Sequence, residues 1–272
     1  MQETGNNTLI SKARLVFRIS PQSLSFSVVD NAEESQLAFE PYVIRSGISL
    51  AANLREAFIE SDLLNRGYQR AQVMIDAPVM LVPTEEFRQE EMESMYQHTF
   101  TGHEDEAVLH AVLPNLNAVA VFSMNKDLKM VMTDHFNDVR FFPISLPVWS
   151  YLHKRSFTGS HQKLYAYFHD KKVDIFCFKQ NRFKFYNTFH VPHANDSIYF
   201  ILYTWKILAL DNEKDELHLV GDIPERERLS ESLRRYLQKV YYVNPVAEFN
   251  RAPITMIKGI SFDLITLFLK GK

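Results

Sequence analysis

The feature that most restricts this chain is an order of hydrophobic periodicities that runs through twice. Leu24, Phe26 and Val28 alternate with Ser25, Ser27 and Val29, the period of a strand with at least one buried face, and Asp30 ends it. Leu37 to Ile44 reads as a second strand, paired with the first as a hairpin across a polar turn. Ser49 then stands as an N-cap before Leu50, Leu54, Ala57 and Phe58, which recur on one helical face. Gln72 to Asp76 is a short buried strand, extended or followed by Val79 to Val82 before Pro83 intervenes. Thr84 is placed to cap an acidic helix carrying Phe87, Glu90, Glu91 and Met95. Ala107 to Leu113 and Ala118 to Met124 are two more strands, Lys126 to Phe136 is a helix, and Val139 to Ile144 is a strand.

The order then restarts. Leu164 to His169, Val173 to Phe178 and Phe183 to Val191 read as three antiparallel strands in a meander, the first ending at Asp170. Asp196 is expected to cap a largely buried helix from Ser197 to about Leu210, with Ile198, Ile201, Leu202, Trp205 and Leu208 apolar. Glu216 to Val220 is a buried strand ending at Gly221 and Asp222. Pro224 opens a helix with Leu229, Leu233, Tyr236 and Leu237, Val240 to Val243 is a last strand, and Ile260 to Lys270 a last helix. The halves join near residues 150 to 162, where Phe157, Thr158, Gly159 and Ser160 read as a linker, and they share negligible sequence identity.

Composition narrows the function classes. The chain has 272 residues, 46% of them hydrophobic and 23% charged, a balance that supports a folded core. A formal net charge of −3 supplies no field for nucleic acid or an anionic membrane, so neither is expected as a partner. The polar start from Met1 to Asn7 lacks the pattern of a secretory signal, and no apolar run approaches the roughly 20 residues of a membrane span, so a cytoplasmic protein is expected. Cys177, the one cysteine, sits beside Ile175 and Phe176 and reads as a buried apolar residue. Glycine is the informative shortage. The eight glycines stand singly, well under the roughly 7% norm, whereas phosphate-cradling loops need clustered glycines so that backbone N–H groups can converge.

A duplicated strand, strand, strand, helix, strand, helix, strand order resembles the RNase H-like, actin-like ATPase superfamily. The chain looks similar to the cytoplasmic actin-like domains of type IV pilus and type II secretion assembly proteins, and to a family of bacterial proteins with an actin-like fold and no assigned function. The resemblance covers about residues 13 to 272 and implies an α/β fold of two lobes, residues 1–157 and 158–272, each a mixed sheet with flanking helices. In active members the first hairpin of each lobe carries an aspartate and, two residues on, a glycine. The matching turns here are Asp30, Asn31, Ala32 and Asp170, Lys171, Lys172: both aspartates match, and Ala32 and Lys172 replace the glycines. A β-carbon where the turn needs positive φ or close approach works against phosphate binding. The family's adenosine-binding turn usually has two glycines, and this chain offers Gly221 followed by Asp222.

Two functions from different classes follow. The first is a non-catalytic actin-like scaffold or protein-interaction module, with a homodimer possible, no catalytic residue, no metal and no cofactor. The second is a nucleotide-binding switch or weak ATPase with ATP between the lobes at Asp30, Asp170 and Gly221. Against the second, aspartate is a common turn former and Gly221 can simply supply a left-handed position at a strand end. A third reading, an RNase H-like nuclease with Asp30 and Asp76 holding metals, lacks a third carboxylate. His98 and His103 near Glu104, Asp105 and Glu106, and His190 with His193, lack the spacing of zinc hydrolases. Ser123, Ser145 and Ser150 lack the flanking glycines of a nucleophile elbow. Lys179, Arg182 and Lys184 interleave with Phe178, Phe183 and Phe185 as on a two-faced strand with one solvated basic side.

Overall fold

A computed structural model describes residues 11–29 and 37–269. They divide into two compact units, the first made of the described residues within 1–81, 88–111 and 120–143, the second of those within 82–87, 112–119 and 144–272. Among the described residues, no helix is long and apolar enough to cross a membrane.

The first run of elements is β1 (Ser11–Ile19), β2 (Leu24–Val29), β3 (Leu37–Tyr42), α1 (Leu50–Glu60), β4 (Tyr68–Ile75), β5 (Val79–Pro83), α2 (Met92–Thr99), β6 (Glu106–Leu113), β7 (Ala118–Asn125), α3 (Lys126–His135) and β8 (Asp138–Pro143). One sheet has the order β3, β2, β1, β4, β8, with β1 antiparallel to β2 and parallel to β4. Strands β5, β7 and β6 form a separate three-stranded sheet in that order. Central strand β1 was not among the strands read from periodicity, because arginines interrupt its apolar run. Leu15, Val16 and Phe17 are fully buried, while Arg14 donates to the Ala71 carbonyl at 3.0 Å and Arg18 to Ser23 Oγ at 2.7 Å. The charges thus find partners at the sheet's margin and leave the apolar residues to the core.

Helix α1 starts where expected, with Ser49 Oγ accepting from the Ala52 amide at 3.1 Å. Its buried Asn53 accepts from the Arg45 amide at 2.7 Å and donates to the Ser49 carbonyl at 3.1 Å, which ties the entering chain to the helix. Phe17 meets Phe26, Phe58 and Phe136 at centroid distances of 5.4, 6.0 and 5.5 Å, so the sheet, α1 and α3 share one core. Thr84 caps no helix. The amides of Glu86 and Phe87 both turn back onto the Pro83 carbonyl, and α2 begins only at Met92.

The second run is α4 (Ser145–Ser156), β9 (Lys163–His169), β10 (Lys172–Lys179), β11 (Arg182–His190), α5 (Ala194–Ile207), β12 (Glu216–Gly221), α6 (Arg226–Arg234), β13 (Val240–Tyr242), α7 (Pro245–Glu248) and α8 (Phe262–Phe268). Its sheet has the order β11, β10, β9, β12, β13, position for position the order of the first. All seven residues of β9 are buried, as befits a strand covered on both faces. Helix α5 packs Ile201 and Trp205 into the core with Leu217 and Leu219 of β12. It starts three residues earlier than Ser197, and Asp196 serves it from inside, accepting from the His193 amide at 3.2 Å.

Helix α4, which was not read from the sequence, ends just before Phe157 to Ser160, the residues read as a linker. Pro147 lies in its first turn, where a missing N–H costs nothing, and Pro147, Val148, Trp149 and Leu152 are buried. A helix buried on several sides has no polar stripe to announce its period. Its end is closed by buried Lys163, whose Nζ donates to Arg155 O at 3.3 Å and Thr158 Oγ1 at 2.7 Å.

Candidate functional site

Of the residues singled out for nucleotide contact, Asp30 lies outside the described residues, as do Asn31 and Ala32. Asp170 and Gly221 both belong to the second unit, and parallel pairing brings them to one end of its sheet. Gly221 at the end of β12 is the register partner of Phe168, two residues before Asp170. Such carboxyl ends of parallel strands are where open α/β sheets bind ligands.

The turn after β9 differs from the sequence expectation. Asp170 and Lys171 take φ of 43° and 59°, the paired left-handed values of a two-residue type I′ hairpin. Lys172 is already in β10, opposite His169 on one side and His190 on the other. The left-handed positions are therefore Asp170 and Lys171, and the lysine at 172 occupies ordinary strand backbone. The Val191 amide holds the turn by donating to Lys171 O at 2.8 Å.

Beneath this turn lies a buried polar group that periodicity did not reveal. Asp174, on β10 between buried Val173 and Ile175, accepts from Ser145 Oγ and from Thr188 Oγ1, the latter at 2.7 Å. His169 Nε2 is 3.4 Å from Asp174 Oδ1, the same oxygen that accepts from Thr188, and its Nδ1 is 3.6 Å from Asp170 Oδ2. Burial pushes the Asp174 carboxyl up, but His169 and the two hydroxyls outweigh it and hold the group below the usual carboxylate range. Asp170 thus lies against His169, its side chain only 8% exposed. The available signal was a charged residue inside an apolar strand, a position that demands partners.

Gly221 is held by its own neighbours. Its φ is +85°, and a β-carbon there would stand 2.3 Å from the Phe168 carbonyl oxygen and 2.9 Å from the Tyr167 ring. The Asp222 amide donates to the same Phe168 oxygen at 3.0 Å. The position that a side chain at 221 would need is taken up by the chain's own packing. Tyr167 in turn stacks on His169 at 4.9 Å and donates to buried Asp263 at 2.9 Å, extending the network under the site.

The remaining candidates separate. His103 Nδ1 lies 2.7 Å from Glu106 and 3.4 Å from Ser123 Oγ, while Ser123 also bonds Glu106 and fully buried Tyr96. Glu106 and Ser123 share one ring nitrogen, whereas a triad needs acid and nucleophile on opposite nitrogens, so this is a structural brace. Phe183 packs edge-on to Trp149 at 5.4 Å and Phe178 lies 5.1 Å from Phe183, so those aromatics are committed to the core side, not to stacking bases. Cys177 is buried and its thiol is pushed up to about 11 by that burial. A cavity of about 240 Å³ between α4 and α8, lined by Leu146, Pro147, Tyr151 and Leu267 among others, is smaller than the roughly 300–1,000 Å³ of small-molecule sites.

Comparison with known proteins agrees with this architecture. The model of a family described as "Protein of unknown function (DUF3822)" matches residues 2–240. A search of curated proteins finds no match. Among solved structures, a Bacteroides thetaiotaomicron protein described as having an actin-like ATPase fold and unknown function is 29% identical. The alignment covers 94% of this chain and 95% of that one, with a TM-score of 0.82. The PilM–PilN type IV pilus biogenesis complex yields a chain 11% identical over 94% and 98% of the two chains, at 0.55. The cytoplasmic domain of EpsL from the type II secretion system of Vibrio cholerae is 16% identical over 78% and 84%, at 0.43. The fold is that of the actin-like ATPases.

Proposed function

The chain belongs to the DUF3822 family, and from that premise we propose that it is a non-catalytic actin-like module that acts by binding other proteins. The observation that carries this reading is the packing at Gly221. Packing against Tyr167 and the Phe168 carbonyl is by itself enough to require a glycine at 221, with no ligand needed to explain it. The hairpin at Asp170 and Lys171 supports the same reading. It presents a lysine tip without glycine, and its aspartate is engaged with His169. One of the similar structures, that of PilM with PilN, is described as a type IV pilus biogenesis complex. Only the fold is shared with it, so protein partners for this chain are an inference from its own site.

The competing function is a nucleotide switch using Asp170 and Gly221, which do meet at one sheet end. Calorimetric titration of the full chain with Mg-ATP separates the two, accompanied by thermal unfolding with and without nucleotide. A binding-only module gives no heat and no thermal shift at millimolar ATP. Saturable binding that weakens in Asp170→Ala would overturn the proposal.

A further inference from the structure

Strand β11 ends its sheet: among the described residues it pairs with β10 on one side and with no strand on the other. An edge of this kind is a template for another strand, and proteins usually blunt it with bulges or charges. The first half of β11 is blunted in that way, by a register shift next to Phe183 and Phe185 and by Arg182 and Lys184. From Phe185 to His190 the pairing with β10 is regular.

Backbone direction along that regular stretch follows from one bond. The Val191 amide donates to Lys171, so this position is a hydrogen-bonded pair, and antiparallel alternation makes Phe189, Asn187 and Phe185 the next inward-bonding residues. Thr188 and His190 then direct N–H and C=O away from β10. An independent contact agrees. The Thr188 amide donates to the side chain of its neighbour Asn187 at 2.9 Å, which is reachable only if that amide points off the sheet. Asn187 occupies an edge donor with its own carboxamide, a placeholder that an incoming carbonyl can displace.

Charge selects the occupant. Along β10, its turn and β11, Lys171, Lys179 and Lys184 are exposed and Lys172 is partly so, exposed Arg182 is paired with Glu85 at 2.8 Å, and the Asp170 and Asp174 side chains are only 8% and 2% exposed. A second copy would bring an equally basic edge against this one, and like charges opposed across strands destabilise. We propose that the Thr188 to His190 edge of β11 accepts an extended, acidic segment of a partner protein as an added strand. This rests on the protein-binding reading above and names its surface: main-chain bonds supply affinity, and the exposed lysines supply selection for carboxylates.

The probe is a displayed library of random twelve-residue peptides selected on the immobilised full chain, with the enriched peptides synthesised for titration. Enriched sequences are expected to be acidic, and binding should slow amide exchange at Thr188 and His190 while leaving Phe189, already bonded to β10, unchanged. His190→Pro removes one outward N–H without touching the inner ladder and should weaken binding at least about tenfold, while His190→Ala should not. Asn187→Ala removes the placeholder and should tighten binding by about fivefold. Basic or neutral enriched peptides, equal binding to His190→Pro, or no enrichment would each overturn the proposal. Should His190→Pro fail to fold, the exchange pattern of the wild-type chain decides. Peptides that bind but protect other amides remove this edge while the protein-binding reading stands, whereas saturable ATP binding removes that reading itself.

Discussion

Substituting Gly221 with alanine adds one carbon where the structure has no place for it. The left-handed backbone costs an alanine roughly 1–2 kcal/mol, and a β-carbon 2.3 Å from the Phe168 oxygen forces a shift of backbone in a fully buried strand. Overpacking of that kind costs about 1–3 kcal/mol, so the sum is about 3 kcal/mol. For a unit of this size that lowers Tm by about 10 °C. The assay is urea unfolding followed by tryptophan fluorescence, which is specific here because both tryptophans, Trp149 and Trp205, lie in the second unit. Gly159→Ala is the control: its φ is +77° but nothing lies within 4 Å, so only the backbone cost of about 1 kcal/mol applies. Equal losses in the two variants would refute the claim that packing against Phe168 and Tyr167 is what requires a glycine at 221. A Gly221→Ala protein as stable as wild type would refute the backbone argument too.

Asp174→Ala strands His169, Ser145 and Thr188 without their shared acceptor and should cost about 3–5 kcal/mol in the same urea assay. Because the folded Asp174 carboxyl sits below its unfolded value, its contribution is complete above about pH 4 and is lost as pH falls further; Asp174→Asn should flatten that acid limb in melts taken from pH 2 to 6. With its thiol raised to about 11, Cys177 should react with a disulfide reagent at pH 8 at least about 100-fold more slowly in the native chain than in urea; a rate near that of free cysteine would contradict its burial.

Part of this architecture could be read from residue order. The alternation from Leu24 to Val29, the Ser49 cap, the α3 span and the meander from β9 to β11 depend on neighbours in sequence, and all appear as expected. Strand β1 and helix α4 escaped for a common reason. Each is covered on more than one side, and its polar or proline residues, Arg14, Arg18 and Pro147, interrupt the period that would mark it. The site divides similarly. Asp170 and Gly221 were found as a turn former and a strand-end glycine, while His169, Asp174, Ser145 and Thr188 were not grouped, since α4, β9, β10 and β11 converge on them only after folding.

Local periodicity, caps and turn residues were enough to assign the α/β class, the doubled element order and the lack of clustered glycines, because each is a relation between residues a few positions apart. Only the tertiary structure decided which turn residues carry the left-handed backbone, what fills the space beside Gly221, and which edge of β11 faces away from its sheet. Those depend on strand register and on contacts between distant segments: a one-residue shift in pairing would exchange inward and outward groups along the whole strand.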